Sequence, residues 1–398
     1  MWWFFGVRII MKTIFKIDNE ILSSNIDLKV DSISVDSSPR PYEVLFKDSV
    51  FSFIREGMDN KEFSYVFFID ENIASLYKDE IMFMKNYPYK SFHAIEELKN
   101  VDAAFDLCDL LLESNANRKT ILYVIGGGVM QDIGAYAAAT FKRGIPWVYV
   151  PTTLLGQSDS CVGGKTGLNY KHTKNLIALF SAPRQVLIDP KFISTLNPVD
   201  IFSGHGEILR LVLTGGKEVF DIYKGLISKL KSDGEDFLKP NLETIMELTK
   251  LSLLVKKSVV ENDEFEINIR KSMNYGHSIG HAIEVLSEHG IPHGQAVAIG
   301  ILVENLIAKK YLNLSDDIIE EVEKIAKEII SKESLVSLKS ISDKSIIEVM
   351  RRDKKVEGDI LKLATISDYG DMKFIDFPLN DDSEILVNNL INDIIKKL

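Results

Sequence analysis

Between Tyr42 and Pro190 the chain alternates short β-branched or aromatic runs with segments of helical pattern, and this alternation restricts the fold more than any other feature. The runs YEVLF, YVFFID, KTILYVIGGG, PWVYVPTT and RQVLIDP read as strands, several ending in Gly, Asp or Pro. A parallel strand can be reached only by a crossover, so strands separated by helices imply βαβ units and a doubly wound, mostly parallel sheet. After STLNPVDIF the strands thin out. The segments FLKPNLETIMELTKLSLLVKKSVVEND and LSDDIIEEVEKIAKEIISKESL carry apolar residues at helical spacing, so the second half reads as all-α. The boundary falls near Pro198, giving an N-terminal extension (1–40), an α/β domain (41–197) and a helical domain (198–398).

A chain of 398 residues, 45% hydrophobic, can bury a sizeable core in two domains. Its formal net charge of -11 argues against a general affinity for nucleic acid or an acidic membrane surface, so an anionic ligand needs a local basic pocket. The two cysteines, Cys108 and Cys161, form no CxxC pair. That fits a reducing cytoplasm and excludes a thiolate zinc cluster, leaving His and carboxylate as metal ligands. The opening MWWFFGVRIIMKTIF is apolar but too short to span a bilayer, and it lacks a basic lead and a small-residue cleavage site. It therefore predicts no signal peptide, and Met11 is an alternative start.

Three stretches carry chemistry. In LYVIGGGVMQDIGAYAAATFKRG an apolar strand runs into Gly126, Gly127 and Gly128 and then an Ala-rich helix, where backbone N–H groups can approach a phosphate; Asp132 beyond it can bind a ribose hydroxyl or complement the helix dipole. The spacing is not GxGxxG. The run PTTLLGQSDSCVGGKTGLNYKHTKN is too polar and glycine-rich for core. It brings Asp159, Lys165, Asn169, Lys174 and Asn175 together after a strand, where parallel sheets bind ligands. Finally NYGHSIGHAIEVLSEHGIPHG holds four of seven histidines. His277 and His281 share a helix face, and His293 follows a Gly-Ile-Pro break that can return the chain to it. Two histidines and one carboxylate make a standard zinc-type set, with Glu284 and Glu207 both available; His289, before Gly290, suits a helix C-terminus.

Together GGGVMQD, PTTLLGQSDSCVGGKTGLN, KN, GEILR, NYGHSIGHAIE and PHGQAVAIG, in this order, resemble the sugar phosphate cyclases, and among them most of all the 3-dehydroquinate synthases. The resemblance runs from about Tyr42 onward. It implies an N-terminal NAD-binding α/β domain, a C-terminal helical metal domain and an active site in the cleft between them. It assigns a divalent metal, zinc or cobalt, to Glu207, His277 and His293, which makes His281 a substrate-side histidine. It assigns NAD to Asp70, Asn72, Glu96, Lys99, Gly127, Gly128, Asp132, Thr152, Thr153 and Lys174. Substrate contacts map to Asp159, Lys165, Asn175, Arg210, Lys256, Arg270, Asn274 and one lysine of the DKK run, Lys354 or Lys355. Arg143 would reach the neighbouring subunit's substrate, implying a homodimer.

The implied reaction converts 3-deoxy-D-arabino-heptulosonate 7-phosphate to 3-dehydroquinate with phosphate release. NAD takes a hydride and returns it, and an aldol step closes the ring. Arg210 departs from the family's usual Lys three residues after the metal-binding Glu, and a forked cation does not replace an ammonium. His205, Gln295 and Gln131 are also unusual. Aminodehydroquinate and valiolone-type synthases, the latter closing sedoheptulose 7-phosphate, are the alternatives within the cyclases. The metal- and NAD-dependent alcohol and glycerol dehydrogenases share the two-domain plan but lack the GGKTGLN lysine loop.

Overall fold

The computed structural model describes residues 10–398 apart from 39, 61, 172, 233–240, 342–343 and 352–355. The chain forms two compact units. One is Lys29–Leu196; the other joins Asn197–Leu398 to the segment ending at Leu28.

The chain's first described elements are a hairpin, β1 (Met11–Ile17) and β2 (Glu20–Ile26). It belongs to the second unit, whereas β3 (Ser32–Val35) belongs to the first. The described part of residues 1–40 is thus no separate extension. The reason is a period-two pattern: MKTIFKI and EILSSNI bury Phe15, Ile17, Leu22 and Ile26 on one face. Thr13 Oγ1 donates to the Gly215 carbonyl at 2.8 Å and Ser24 Oγ to the Leu254 carbonyl at 2.8 Å, which fastens the hairpin to its unit.

In the first unit β3 pairs antiparallel with β4 (Tyr42–Phe46), and α1 (Val50–Gly57), β5 (Ser64–Asp70), α2 (Glu71–Leu76), β6 (Tyr89–Phe92) and α3 (Val101–Glu113) follow. Then come β7 (Thr120–Gly126), α4 (Gly128–Thr140), β8 (Trp147–Pro151), the hairpin β9 (Lys165–Tyr170) and β10 (Thr173–Phe180), and β11 (Gln185–Ile188). The sheet order is β3-β4-β11-β8-β7-β5-β6, parallel except at β3, as the βαβ rhythm predicts. All of β7 and most of β5 are buried, because elements cover both faces.

The second unit is mainly helical: α5 (Pro198–Thr214), α6 (Lys217–Ser232), α7 (Leu242–Val260), α8 (His277–Leu286), α9 (His293–Leu312), α10 (Asp316–Ile329), α11 (Lys332–Ser340), α12 (Ile346–Met350) and α13 (Asp381–Lys397). It also carries a five-stranded sheet that the helical reading omits, in which β12 (Val356–Glu357), β13 (Ile360–Asp368) and β14 (Asp371–Pro378) continue into β1 and β2. Helix α9 is the hub, packing against α5, α8, α10, α13 and β13. Among the described residues no helix is long and apolar enough to cross a membrane.

Candidate active site

In the first unit β5 leads outward to β6, whereas β7, its neighbour, leads the other way to β8. Ligand crevices form beyond the carboxyl ends of parallel strands where the winding reverses. Asp70 ends β5, and its Oδ1 accepts from Asn72 N at 2.8 Å, capping α2. Gly126 ends β7, where a Cβ would lie 3.3 Å from Asp70 Cβ. Gly127 precedes α4, and a Cβ there would lie 3.0 Å from Thr153 Cγ2. The N-cap of α4 is Gly127, which has no side chain to cap the helix, and a helix start of this kind suits an anion. Thr152 N donates to the Gly126 carbonyl at 3.1 Å. Asp70, Gly127, Gly128, Thr152 and Thr153 are thereby brought together at the switch point.

One turn along α4, Asp132 joins a second group. Lys99, 6% exposed, donates from Nζ to Asn175 Oδ1 (2.8 Å) and Asp132 Oδ2 (3.1 Å) and lies 3.2 Å from Glu96 Oε1. Asp132 Oδ1 accepts from Gly167 N at 3.2 Å, Asn169 Nδ2 donates to Glu96 Oε1 at 2.9 Å, and Asn175 N donates to Asn169 Oδ1 at 3.0 Å. Burial pushes the Asp132 carboxyl up to about 6 against the pull of Lys99. Burial opposes the Lys99 charge, but Asp132 and Glu96 outweigh it and raise its ammonium. Asn175 takes left-handed backbone (φ 52) opposite Gly167, where a Cβ would lie 2.8 Å from Asn175 Cβ.

Asp159 lies in the single wide helical turn Gly156–Ser160 after β8. The unusual Gln131 explains itself here: its Nε2 donates to the Ser160 carbonyl (2.8 Å) and its Oε1 accepts from Ser160 Oγ (2.6 Å), bracing that turn. Lys165 and Lys174 are exposed on β9 and β10. Arg143 is exposed in a turn after α4 where it and Lys142 both take positive φ, 66 and 49. Two such residues in succession cost free energy that regular packing does not require.

In the second unit three helices meet backbone to backbone. A Cβ on Gly206 of α5 would lie 1.9 Å from the Gly294 carbonyl oxygen, and one on Gly300 of α9 would lie 2.0 Å from that of Gly276. This approach converges Glu207, His277, His281 and His293. Glu207 Oε1 is 3.0 Å from His293 Nε2 and 3.3 Å from His277 Nε2, and one ring nitrogen from each of the three histidines lies within 4.8 Å of the others. Both outer nitrogens are engaged: His277 Nδ1 at the Tyr275 carbonyl (3.1 Å) and His293 Nδ1 at Glu284 Oε2 (2.8 Å). That is how metal-binding imidazoles are held, with the second nitrogen donating to a carbonyl or carboxylate. Ligand atoms on a tetrahedral zinc are about 3.3 Å apart, close to the two separations of Glu207 from the histidines, 3.0 and 3.3 Å.

Arg210 donates from Nε to Glu207 Oε2 at 2.7 Å, and its Nη1 lies 3.3 Å from Met273 Sδ. Burial works against the Glu207 charge, but Arg210 and the histidines outweigh it and hold the carboxyl well below its usual range. Burial likewise disfavours charge on His293, yet Glu207 and Glu284 push its imidazole up to about 10. The site therefore carries a carboxylate held ionised and two nitrogens aimed at it.

The segment before α8 is not a continuous helix. Arg270 and Asn274 sit on a 3₁₀ turn, Ile269–Asn274, separated from α8 by Gly276 with φ 78, so helical periodicity does not place Arg270 relative to His277. Arg270 is nonetheless buried, with its Nη1 donating to the Glu264 carbonyl and its backbone N to Asp263 Oδ2 at 2.9 Å. Asn274 Nδ2 donates to Glu266 Oε1 at 3.1 Å. Lys256 is buried on α7, which packs against this turn. Lys354 and Lys355 lie outside the described residues. His289 N donates to the Glu284 carbonyl at the end of α8, a helix-terminating bond, with φ 63. Sequence reasoning missed the support behind the histidines, including Glu304, whose signal is a carboxylate inside an otherwise apolar stretch of α9.

Residues 90–203 match the family model for the 3-dehydroquinate synthase N-terminal domain and residues 204–356 that for the C-terminal domain. A 3-dehydroquinate synthase of Streptococcus equi subsp. equi is 31% identical over 363 residues, covering 89% of this chain and 96% of the relative. That of Clostridium tetani is 37% identical over 263 residues, covering 65% and 69%. In fold the chain resembles a crystal structure of 2-deoxy-scyllo-inosose synthase complexed with carbaglucose-6-phosphate, NAD+ and Co2+, with a TM-score of 0.75 at 23% identity over 91% of this chain and 99% of that one. The two family matches together span well over half of the sequence, and the chain belongs to the 3-dehydroquinate synthase family.

Proposed function

We propose that this protein is a cytoplasmic, homodimeric 3-dehydroquinate synthase, converting 3-deoxy-D-arabino-heptulosonate 7-phosphate to 3-dehydroquinate and phosphate. The observation that carries the proposal is the meeting of Glu207, His277 and His293, each histidine backed at its outer nitrogen. These three residues would hold one divalent cation, zinc or cobalt. When bound, the cation and NAD would supply acidification of a substrate hydroxyl and a reversible hydride acceptor.

The chain's own groups do the remainder. Gly127, Gly128, Thr152 and Thr153 form the open end of the switch point, which suits a pyrophosphate at the start of α4. Asp70, with Asn72, and Asp132 with Lys99 and Glu96 would offer carboxylates to ribose hydroxyls; Lys174 lies on the neighbouring strand. Lys99 can only donate, so it fixes Asn175 with Oδ1 on the ammonium, and Nδ2 would be the atom that donates to a ligand. Asp159 and Lys165 would bind the sugar from the braced turn and the start of β9. His281, the exposed ring of the cluster, would carry a proton on a ring nitrogen within 4.8 Å of the other two. Arg143, exposed on strained backbone, would reach the partner subunit's substrate. Arg270 and Lys256 would supply cationic donors for a carboxylate, with one lysine of Lys354 and Lys355, and Asn274 would add an amide donor by exchanging its bonds to Glu266 Oε1 (3.1 Å) and the Lys271 carbonyl (2.9 Å).

A carboxylate-free sugar has no use for Arg270, and this separates the reading from the valiolone branch. Incubation with both seven-carbon sugar phosphates tests it. The carboxylate-bearing sugar should be cyclised and sedoheptulose 7-phosphate left unchanged, and Arg270→Ala should lower kcat/KM by roughly a hundredfold or more. Cyclisation of sedoheptulose 7-phosphate alone would replace this reading with the valiolone one.

A further inference from the structure

Helix α9 begins with His293, and eleven residues later it presents Glu304 and Asn305. Both are fully buried, as is Tyr275. Glu304 Oε2 accepts from Gly276 N at 2.6 Å and its Oε1 from Ile279 N at 3.4 Å, closing the N-terminus of α8. Asn305 Oδ1 accepts from the Tyr275 hydroxyl. Two consecutive residues of α9 thus grip the two residues before His277, and the Tyr275 carbonyl in turn engages His277 Nδ1.

Gly276 makes room for this grip. Its φ of 78 turns the chain into α8, and a side chain there would strike the Val297 carbonyl at 2.7 Å. Its N–H has no partner inside α8, since the first amides of a helix never do, and the Glu304 carboxylate supplies one while complementing the positive end of the helix. A carboxylate at 0% exposure is costly to bury unless its oxygens are hydrogen-bonded, so it fixes the peptide it binds within narrow limits.

We infer that Glu304, with Asn305, is a positioning residue for the His277 imidazole: through the 275–277 backbone it sets the direction of Nε2 toward Glu207 and His293. One rigid helix then carries both His293 and the device that places His277, which fixes their separation by the rise of α9. The inference rests on the proposal that these residues hold a divalent cation.

The test titrates the full-length apo-protein with Co2+, following the visible absorption of the bound ion, for wild type, Glu304→Gln, Glu304→Ala and Ser315→Ala. Ser315 accepts from Ile318 N at 3.4 Å at the start of α10, so its loss removes a helix cap of the same unit away from the histidines. Losing support behind a ligand costs roughly tenfold to a hundredfold in metal affinity. Glu304→Ala should fall at the upper end with an altered spectrum, Glu304→Gln, which keeps a carbonyl acceptor, at the lower end, and Ser315→Ala at the wild-type value. Should Glu304→Ala not fold, Glu304→Gln carries the comparison. Wild-type affinity and spectrum in the folded Glu304 variants would overturn the inference, as would an equal loss in Ser315→Ala. A wild-type protein that takes up no Co2+ would overturn the metal proposal itself, which keeps the two failures distinguishable.

Discussion

His293 and Glu284 are joined Nδ1 to Oε2 at 2.8 Å, which leaves His293 Nε2 as the nitrogen facing Glu207 Oε1 at 3.0 Å. Sequence spacing offers Glu284 as a ligand; the structure places it at the outer nitrogen of His293. A carboxylate there fixes the tautomer and strengthens the donor.

The two residues should therefore fail differently. His293→Ala should lose stoichiometric metal and turnover while circular dichroism keeps the wild-type helical signal. Glu284→Gln should retain metal with roughly tenfold to a hundredfold weaker affinity. Elemental analysis after dialysis decides between them, and stoichiometric zinc in His293→Ala would remove that residue from the ligand set.

The contact of α5 with α9 makes Gly206 intolerant. A Cβ there would lie 1.9 Å from a backbone oxygen that no rotamer change can move. Gly206→Ala should cost more than about 2 kcal/mol in urea unfolding and displace Glu207 next to it. Gly225 on the exposed side of α6 has nothing within 4 Å of a new Cβ, so Gly225→Ala should stabilise by about 0.5–1 kcal/mol. Equal effects at the two positions would contradict the packing described.

Asp132 gives a pH signature. Burial raises its carboxyl from 3.8 to about 6 in the fold. A raised carboxyl binds its proton more tightly folded than unfolded, so its stabilising contribution is complete below about 4 and disappears as the pH rises through 6. Measured without NAD, the stability of Asp132→Asn relative to wild type should climb by about 1–3 kcal/mol between pH 4 and 6.5 and then level off. A difference that stays flat across that window would mean the carboxyl is not raised.

The strands and the chemistry were legible for different reasons. Runs such as KTILYVIGGG announce a buried parallel strand by composition alone, and β5, β7, β8 and β11 all lie where such runs stand. The hairpin Met11–Ile26 and strands β13 and β14 were not legible as parts of one sheet, because their pairing joins residues more than 340 apart and no local period carries that information. At the site, HxxxH and PHG mark the histidines, but which carboxylate faces them depends on the glycine contact of α5 with α9. Arg270 was legible only through the family resemblance, because the 3₁₀ turn Ile269–Asn274 and Gly276 separate it from α8 and no helical period relates it to His277. The unusual Gln131 and Arg210 acquire reasons only once Ser160 and Glu207 are seen beside them.

The most direct test of the central claim follows phosphate and nicotinamide absorbance together, with metal-loaded protein, 3-deoxy-D-arabino-heptulosonate 7-phosphate and NAD in one cuvette. A cyclase that returns its hydride should release one phosphate per 3-dehydroquinate formed, require NAD, and accumulate no NADH beyond the enzyme concentration. Steady NADH production without phosphate release would contradict the account and place the chain's chemistry with the NAD-dependent dehydrogenases.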